Sequence, residues 1–136
     1  MERIESFLHR WRKPVLIIFL LMWVGAFTAT HIPSKSIPTE VLDLGHVVLH
    51  GVGFLGLSSW FILAVVAFGV TRGRRVLLVL SVMMIYAAVD EYTQQFFGRS
   101  TDLADWITDT VATVIALGLW ESVFVLAPKI FRFANQ

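Results

Sequence analysis

Residues 88–112 read AVDEYTQQFFGRSTDLADWITDTVA, and the runs on either side of this stretch are almost wholly apolar. The pattern predicts a polar turn between two membrane-spanning helices, with polar side chains that extend into both of them. Ionisable groups inside a membrane cost roughly 2.5–3.5 kcal/mol each, so they usually face a bundle interior or a wet cavity. The stretch is therefore the predicted functional site, and its charged and carboxamide side chains are Asp90, Glu91, Gln94, Gln95, Arg99, Asp102, Asp105 and Asp109.

The composition predicts an integral membrane protein. Of the 136 residues, 57% are hydrophobic and 15% are charged, and the mean hydropathy is +0.73. This apolar content excludes an ordinary soluble domain. The chain contains no cysteine, which excludes disulfides and cysteine-based metal sites, and its net charge of +1 gives no indication of a nucleic-acid partner. We expect one all-α domain over residues 1–136, surrounded by a lipid bilayer.

Apolar runs predict a bundle of four transmembrane helices, at about residues 14–30, 43–70, 76–97 and 103–126. Residues 1–13 mix basic and apolar side chains in a way that is typical of an interfacial amphipathic helix. The sequence TRGRR at residues 71–75 predicts a short basic turn, and Ser100 or Thr101 is the predicted N-cap of the last span. Pro128 is expected to end that span.

The basic residues predict how the chain is oriented. If the N-terminus lies inside, all of the 11 Lys and Arg residues fall on the inner side except Lys35 and Arg99. The positive-inside rule then places both termini of this multi-pass protein in the cytoplasm. The acidic residues concentrate at the opposite, outer end, which indicates an outward-facing acidic pocket.

Polar residues on three of the spans are expected to meet at one depth. At about 1.5 Å per residue, His50, Glu91 and Asp109 each lie about 10 Å from the outer end of their span. Side chains three or four residues apart share one face of a helix. Three sets have this spacing: Asp43, His46 and His50; Glu91, Gln94 and Gln95; and Asp102, Asp105 and Asp109.

The chemistry of these candidates leaves two interpretations open. His46 and His50 have the i, i+4 spacing of helical metal ligands, and Asp105 and Asp109 would complete a divalent-metal site. The same imidazole and carboxylate groups also serve acid–base chemistry, for which we select His50, Glu91 and Asp109. Arg99 suits bidentate binding of an anionic group. The predicted ligand-binding residues are Arg99, Gln94, Asp90, Asp105 and His46.

Several motifs resemble those of VanZ-like membrane proteins. Residues 90–99, DEYTQQFFGR, fit the pattern DExxQxFxxR, and residues 105–109 follow in the position of the DWxxN element. Residues 50–54 are similar to the HxxxY or HxxxF element of the preceding helix. The chain has His46 where Asp is usual, Asp109 where Asn is usual, and Ala112 where Gly is usual. The resemblance implies a small polytopic protein of the bacterial cytoplasmic membrane, linked through the family's namesake to lowered susceptibility to teicoplanin-type glycopeptides.

Three functions fit these observations. In the first, the outward-facing pocket binds the anionic head group of an envelope lipid or a lipid-linked glycan, either as a binding protein or as an enzyme that processes it. In the second, the protein is a non-catalytic accessory subunit of a larger membrane complex, and the polar residues serve helix packing. The third, a proton or ion pathway, is opposed by the nearly apolar inner halves of the spans.

Overall fold

The computed structural model describes residues 2–33, 36 and 45–133, and the regular elements of this part of the chain are all helices, without strands. Four of its helices are long and apolar enough to cross a membrane. The prediction of an all-α bundle with four spans is therefore confirmed. The α-helices are α1, Glu2–Arg10; α2, Arg12–Thr30; α3, His46–Ala67; α4, Arg72–Gln94; and α5, Leu103–Phe133, with a short 3-10 turn, Gln95–Phe97, after α4.

The two ends of the bundle differ in chemistry. We call the end that carries residues 98–102 the polar end, and the end that carries residues 68–71 the basic end. At the polar end, Gly98 adopts a φ of 74° and closes the turn after α4, a left-handed conformation that glycine adopts without steric cost. The backbone N–H of Arg99 then donates to the Gln94 carbonyl oxygen at 3.3 Å, which caps the helix end.

Three local predictions were wrong. Residues 72–75 form the first turn of α4 rather than a basic turn, because Arg is a good helix former and Arg75 finds a buried partner. Helix α5 continues through Pro128 to Phe133; spanning helices tolerate a proline when their surroundings satisfy the freed carbonyl group. The last span is capped by Asp102, whose Oδ1 accepts from the Ala104 N–H at 2.8 Å, and not by Ser100 or Thr101.

Helices α3 and α5 form the most extensive pairing of the bundle. Ala112 and Ala116, one turn apart on α5, are both buried, and small residues of this kind let two membrane helices approach closely. Ser58 and Thr113 add a buried hydroxyl–hydroxyl hydrogen bond of 2.9 Å across the same pair. The pairing determines which face of α5 points towards α3.

Helix α1 packs against the basic end of α3. Leu8 is buried, and His9 Nδ1 donates to the Ala67 carbonyl oxygen at 3.1 Å. With Nδ1 as the donor, His9 Nε2 accepts from Arg12 Nη1 at 2.9 Å. The helix is amphipathic as predicted; its position at a membrane interface stays a prediction.

A glycine next to the α3–α5 contact provides a test of this packing. A Cβ atom added at Gly51 would lie 3.4 Å from Thr108 Cγ2, whereas a Cβ added at Gly53 meets no atom within 4 Å. We therefore expect Gly51→Leu to destabilise the bundle by about 1–3 kcal/mol through overpacking. The measurement is unfolding in mixed detergent micelles by circular dichroism, with Gly53→Leu as the matched control. Equal stability of the two variants would contradict the packing.

Candidate functional site

Six buried polar residues from three helices meet at the polar end of the bundle. We call them the polar cluster. Asp90 and Asp109 are completely buried, and the side chains of the other members are at least nine-tenths buried. The cluster consists of His50 on α3, Asp90, Glu91 and Gln94 on α4, and Asp105 and Asp109 on α5.

The imidazole of His50 is the centre of the polar cluster. Its Nδ1 lies 3.1 Å and 3.2 Å from the two carboxylate oxygens of Asp109, and a carboxylate can only accept, so we assign the proton to Nδ1. The other ring nitrogen, Nε2, then faces Asp105 Oδ2 at 3.6 Å and Glu91 Oε1 at 3.9 Å. This is the arrangement of a histidine that one carboxylate orients and that presents its second nitrogen for chemistry.

Hydrogen bonds hold the α4 carboxylates in position. Glu91 Oε2 accepts from the backbone N–H of Asp102 at 3.0 Å, which ties α4 to the start of α5. Gln94 Nε2 donates to Asp90 Oδ2 at 3.0 Å and to Glu91 Oε1 at 3.3 Å. The Gln94 amide therefore bridges the two carboxylates and offsets part of the repulsion between them.

The end of α2 adds residues that the sequence analysis assigned to no site. Thr30 Oγ1 donates to Asp90 Oδ1 at 2.9 Å, and buried His31 lies with Nδ1 3.8 Å from the same oxygen. His31 Nε2 is 2.8 Å from Thr93 Oγ1 on α4. His31 directly follows the first apolar run, and no signal in the sequence indicates that it lies beside Asp90. The predicted first span ends at residue 30, which left His31 outside the spans.

The other candidates lie outside the polar cluster or outside the described residues. Arg99 is half-buried, and its Nη1 donates to the Ile32 carbonyl oxygen at 3.5 Å, which places it at the rim next to His31. Gln95 is exposed and donates to the Tyr92 carbonyl oxygen. His46 begins α3, but its side chain and all of Asp43 lie outside the described residues. The predicted roles of His46 and Asp43 stay predictions.

An aromatic layer closes the polar cluster on the side facing the middle of the bundle. The Tyr86 ring packs edge-on against Trp23, with centroids 5.1 Å apart, and stacks on Phe54 at 5.6 Å. The Tyr86 hydroxyl is buried, and among the described residues it has no hydrogen-bond partner. Below this layer the helices are held by apolar side chains such as Met83 and Leu57. Apart from the Ser58–Thr113 hydroxyl pair, the buried polar groups of the described residues lie at the polar end and at the basic end.

The family model of VanZ/LLP1 matches residues 14–126, which include all four spans and every residue of the polar cluster. The chain belongs to the VanZ/LLP1 family. The predicted resemblance is thereby confirmed. Comparisons with curated proteins and with solved structures found no match.

In this VanZ/LLP1 chain the family motifs lie on three helices, and the tertiary structure brings them together. The HxxxF element provides His50 and also Phe54 of the aromatic layer. The DExxQ element provides Asp90, Glu91 and Gln94, and the DWxxN element provides the two aspartates. Trp106, within that last element, donates from its indole Nε1 to the Met84 carbonyl oxygen at 3.3 Å, which fixes α5 against α4.

Three residues of the polar cluster in this VanZ/LLP1 protein have the spacing of metal ligands. One nitrogen or oxygen atom from each of His50, Glu91 and Asp109 lies within 4.8 Å of the other two. Asp105 contributes a fourth candidate oxygen beside His50 Nε2. Imidazole and carboxylate ligands suit divalent metals such as Zn²⁺ and Mn²⁺. The same groups also have the composition of an acid–base pair, so the polar cluster is chemically compatible with metal binding and with acid–base chemistry.

Proposed function

We propose that the protein binds the anionic head group of an envelope lipid or a lipid-linked glycan in the polar cluster. The observation that carries this proposal is the burial of four carboxylates and two histidines at one end of a membrane bundle. Such groups are costly in a bilayer and usually mark a ligand site or a proton-handling site. Envelope lipids are the molecules that reach this end of the bundle from within the bilayer.

The orientation is part of the proposal. The distribution of Lys and Arg supports a protein of the bacterial cytoplasmic membrane with both termini in the cytoplasm. The polar end then faces the outer leaflet, where lipid-linked glycans are exposed to glycopeptides. The family's link with teicoplanin susceptibility agrees with this orientation, because a protein that binds such a head group would change what the glycopeptide can reach.

Different residues would contact different parts of the ligand. Arg99, at the rim, would donate bidentate hydrogen bonds to a phosphate or carboxylate group. His50, oriented by Asp109, has the geometry of a general base towards a head-group hydroxyl or a water molecule, with Glu91 as its proton partner. Gln94 and Asp90 complete the polar wall beneath the head group.

Native mass spectrometry of protein extracted gently from its own membrane tests this function. We expect one anionic lipid to stay bound to the wild type and to be lost from Arg99→Ala. Gln95→Ala is the matched control, because Gln95 is a neighbouring polar residue whose side chain is exposed. Equal lipid retention by all three proteins would contradict the proposal. Partner chains retained in place of lipid, regardless of these substitutions, would favour an accessory subunit.

A further inference from the structure

The carboxylates of the polar cluster outnumber the positive groups that pair with them. Within the described residues, the ion-pair partners of Asp90, Glu91, Asp105 and Asp109 are His31 and His50. Even with both histidines protonated, the four carboxylates and two histidines together would carry a net negative charge. A buried unbalanced charge is strongly disfavoured, so this excess of carboxylates among the described groups favours the uptake of protons or of a cation.

The ring nitrogens of His50 favour a cation over additional protons. Asp109 occupies Nδ1, so the Nε2 lone pair points towards Asp105 Oδ2 at 3.6 Å and Glu91 Oε1 at 3.9 Å. Metal–ligand bonds of about 2.0–2.2 Å place two ligands of a tetrahedral centre about 3.3–3.6 Å apart. The two nitrogen–oxygen distances therefore need to close by only a few tenths of an ångström. A carboxylate on the second nitrogen is the usual support of a metal-bound histidine.

We infer that a divalent cation binds between His50 Nε2, Glu91 and Asp105, with Asp109 orienting the imidazole, and that it bridges the polar cluster to the head-group phosphate. One nitrogen and two carboxylate ligands suit Zn²⁺ or Mn²⁺ better than Mg²⁺ or Ca²⁺, which prefer oxygen ligands alone. Three protein ligands leave a coordination position for a phosphate oxygen.

This inference rests on the proposed binding of an anionic head group, and it reduces a difficulty in that proposal. With Nε2 on the cation and Nδ1 on Asp109, His50 acts as a ligand and no longer as a general base. Four carboxylates repel an anionic head group, and Arg99 supplies one positive charge at the rim. A divalent cation deep in the polar cluster offsets two of the negative charges and provides an attachment point for phosphate. Glu91 is already held by the backbone N–H of Asp102 and by Gln94, so little reorganisation accompanies metal binding.

Metal binding is tested with purified full-length protein that has been stripped with a chelator and then titrated with Zn²⁺ or Mn²⁺ in a calorimeter. We expect one ion per chain. Asp105→Asn and Glu91→Gln should weaken binding at least tenfold, and Asp109→Asn should weaken it about 10–100-fold, as for other partners of metal-bound histidines. No stoichiometric ion in the wild type, or equal affinities in all variants, would overturn the site.

Asp102→Asn is the matched control. The Asp102 side chain is exposed and caps α5, and Asn caps equally well while the backbone N–H to Glu91 is kept. We expect this variant to bind the ion like the wild type. Size-exclusion chromatography and thermal unfolding of each variant identify any protein that has lost its fold, and the stripped wild type tests the site without any substitution.

The bridging role is tested in nanodiscs that contain a polyprenyl phosphate. Chelation should release the phosphate lipid from the wild type, and Zn²⁺ or Mn²⁺ should restore binding. If the lipid stays bound after chelation and is still lost in Arg99→Ala, the cation inference is wrong and the proposed function stands. If the ion binds and no phosphate lipid is retained under either condition, the proposed function fails and the bridge fails with it.

Discussion

Glu121→Gln is expected to destabilise the protein by about 3–5 kcal/mol, which is the usual cost of breaking a buried ion pair from one side. Glu121 Oε1 accepts from Arg75 Nε and Nη2, both at 2.7 Å. The Arg75 side chain is only 5% exposed and lies over the Phe124 ring at 5.2 Å. The substitution leaves this guanidinium buried beside a neutral amide. Equilibrium unfolding in mixed micelles measures the difference.

The second partner of Glu121 provides the control. Arg72 Nε lies 3.0 Å from Glu121 Oε2, but the Arg72 side chain is 68% exposed, so Arg72→Gln should cost no more than about 1 kcal/mol. The double variant Arg75→Met with Glu121→Leu removes both buried charges and should recover most of the lost stability. The explanation is wrong if Glu121→Gln is no less stable than Arg72→Gln.

His50→Ala is expected to weaken binding of the polyprenyl phosphate by about 10-fold or more, since loss of a ligand of the inferred cation should cost at least as much metal affinity as loss of a residue that supports a ligand. His50 contacts carboxylates on both α4 and α5. Its removal leaves Asp109 without its imidazole partner and would deprive the inferred cation site of its nitrogen ligand. Lipid retention in nanodiscs, measured by native mass spectrometry across a lipid titration, gives the affinity ratio.

Ser58→Ala is the matched control for His50→Ala. Ser58 is also buried on α3, and its hydroxyl bonds to Thr113 on α5, but it lies two turns deeper than His50. Interhelical hydrogen bonds of this kind contribute roughly 0.6 kcal/mol on average. We expect slightly lower stability and unchanged lipid affinity. If the two variants bind lipid equally well, His50 has no role in binding.

Several features of the fold were predicted because they depend only on local sequence. A membrane helix satisfies its own backbone hydrogen bonds, so each span can be identified from its apolar run alone. The convergence of α3, α4 and α5 at one depth follows from counting residues along each span, which is how His50, Glu91 and Asp109 were selected together. Their predicted roles remain to be tested.

Other features could not be predicted, because they depend on how the helices rotate and pack. His31 was left outside the predicted spans because hydropathy does not indicate that Asp90, far along the chain, approaches the end of α2. The helical start of α4 was missed because an Arg-rich segment resembles a turn until Arg75 is paired with Glu121. The prediction that Pro128 ends the last span was wrong because a membrane helix can continue past a proline when its surroundings satisfy the freed carbonyl group.

The sequence by itself determined the class of this protein, its four spans, its family and the end of the bundle that carries the polar residues, because hydropathy and motif spacing are properties of short segments. Only the tertiary structure decided which nitrogen of His50 pairs with Asp109, that Gln94 joins Asp90 to Glu91, and that α2 completes the polar end. These contacts depend on the rotation of each helix about its axis. That rotation is set by packing between helices, as where Ser58 on α3 meets Thr113 on α5.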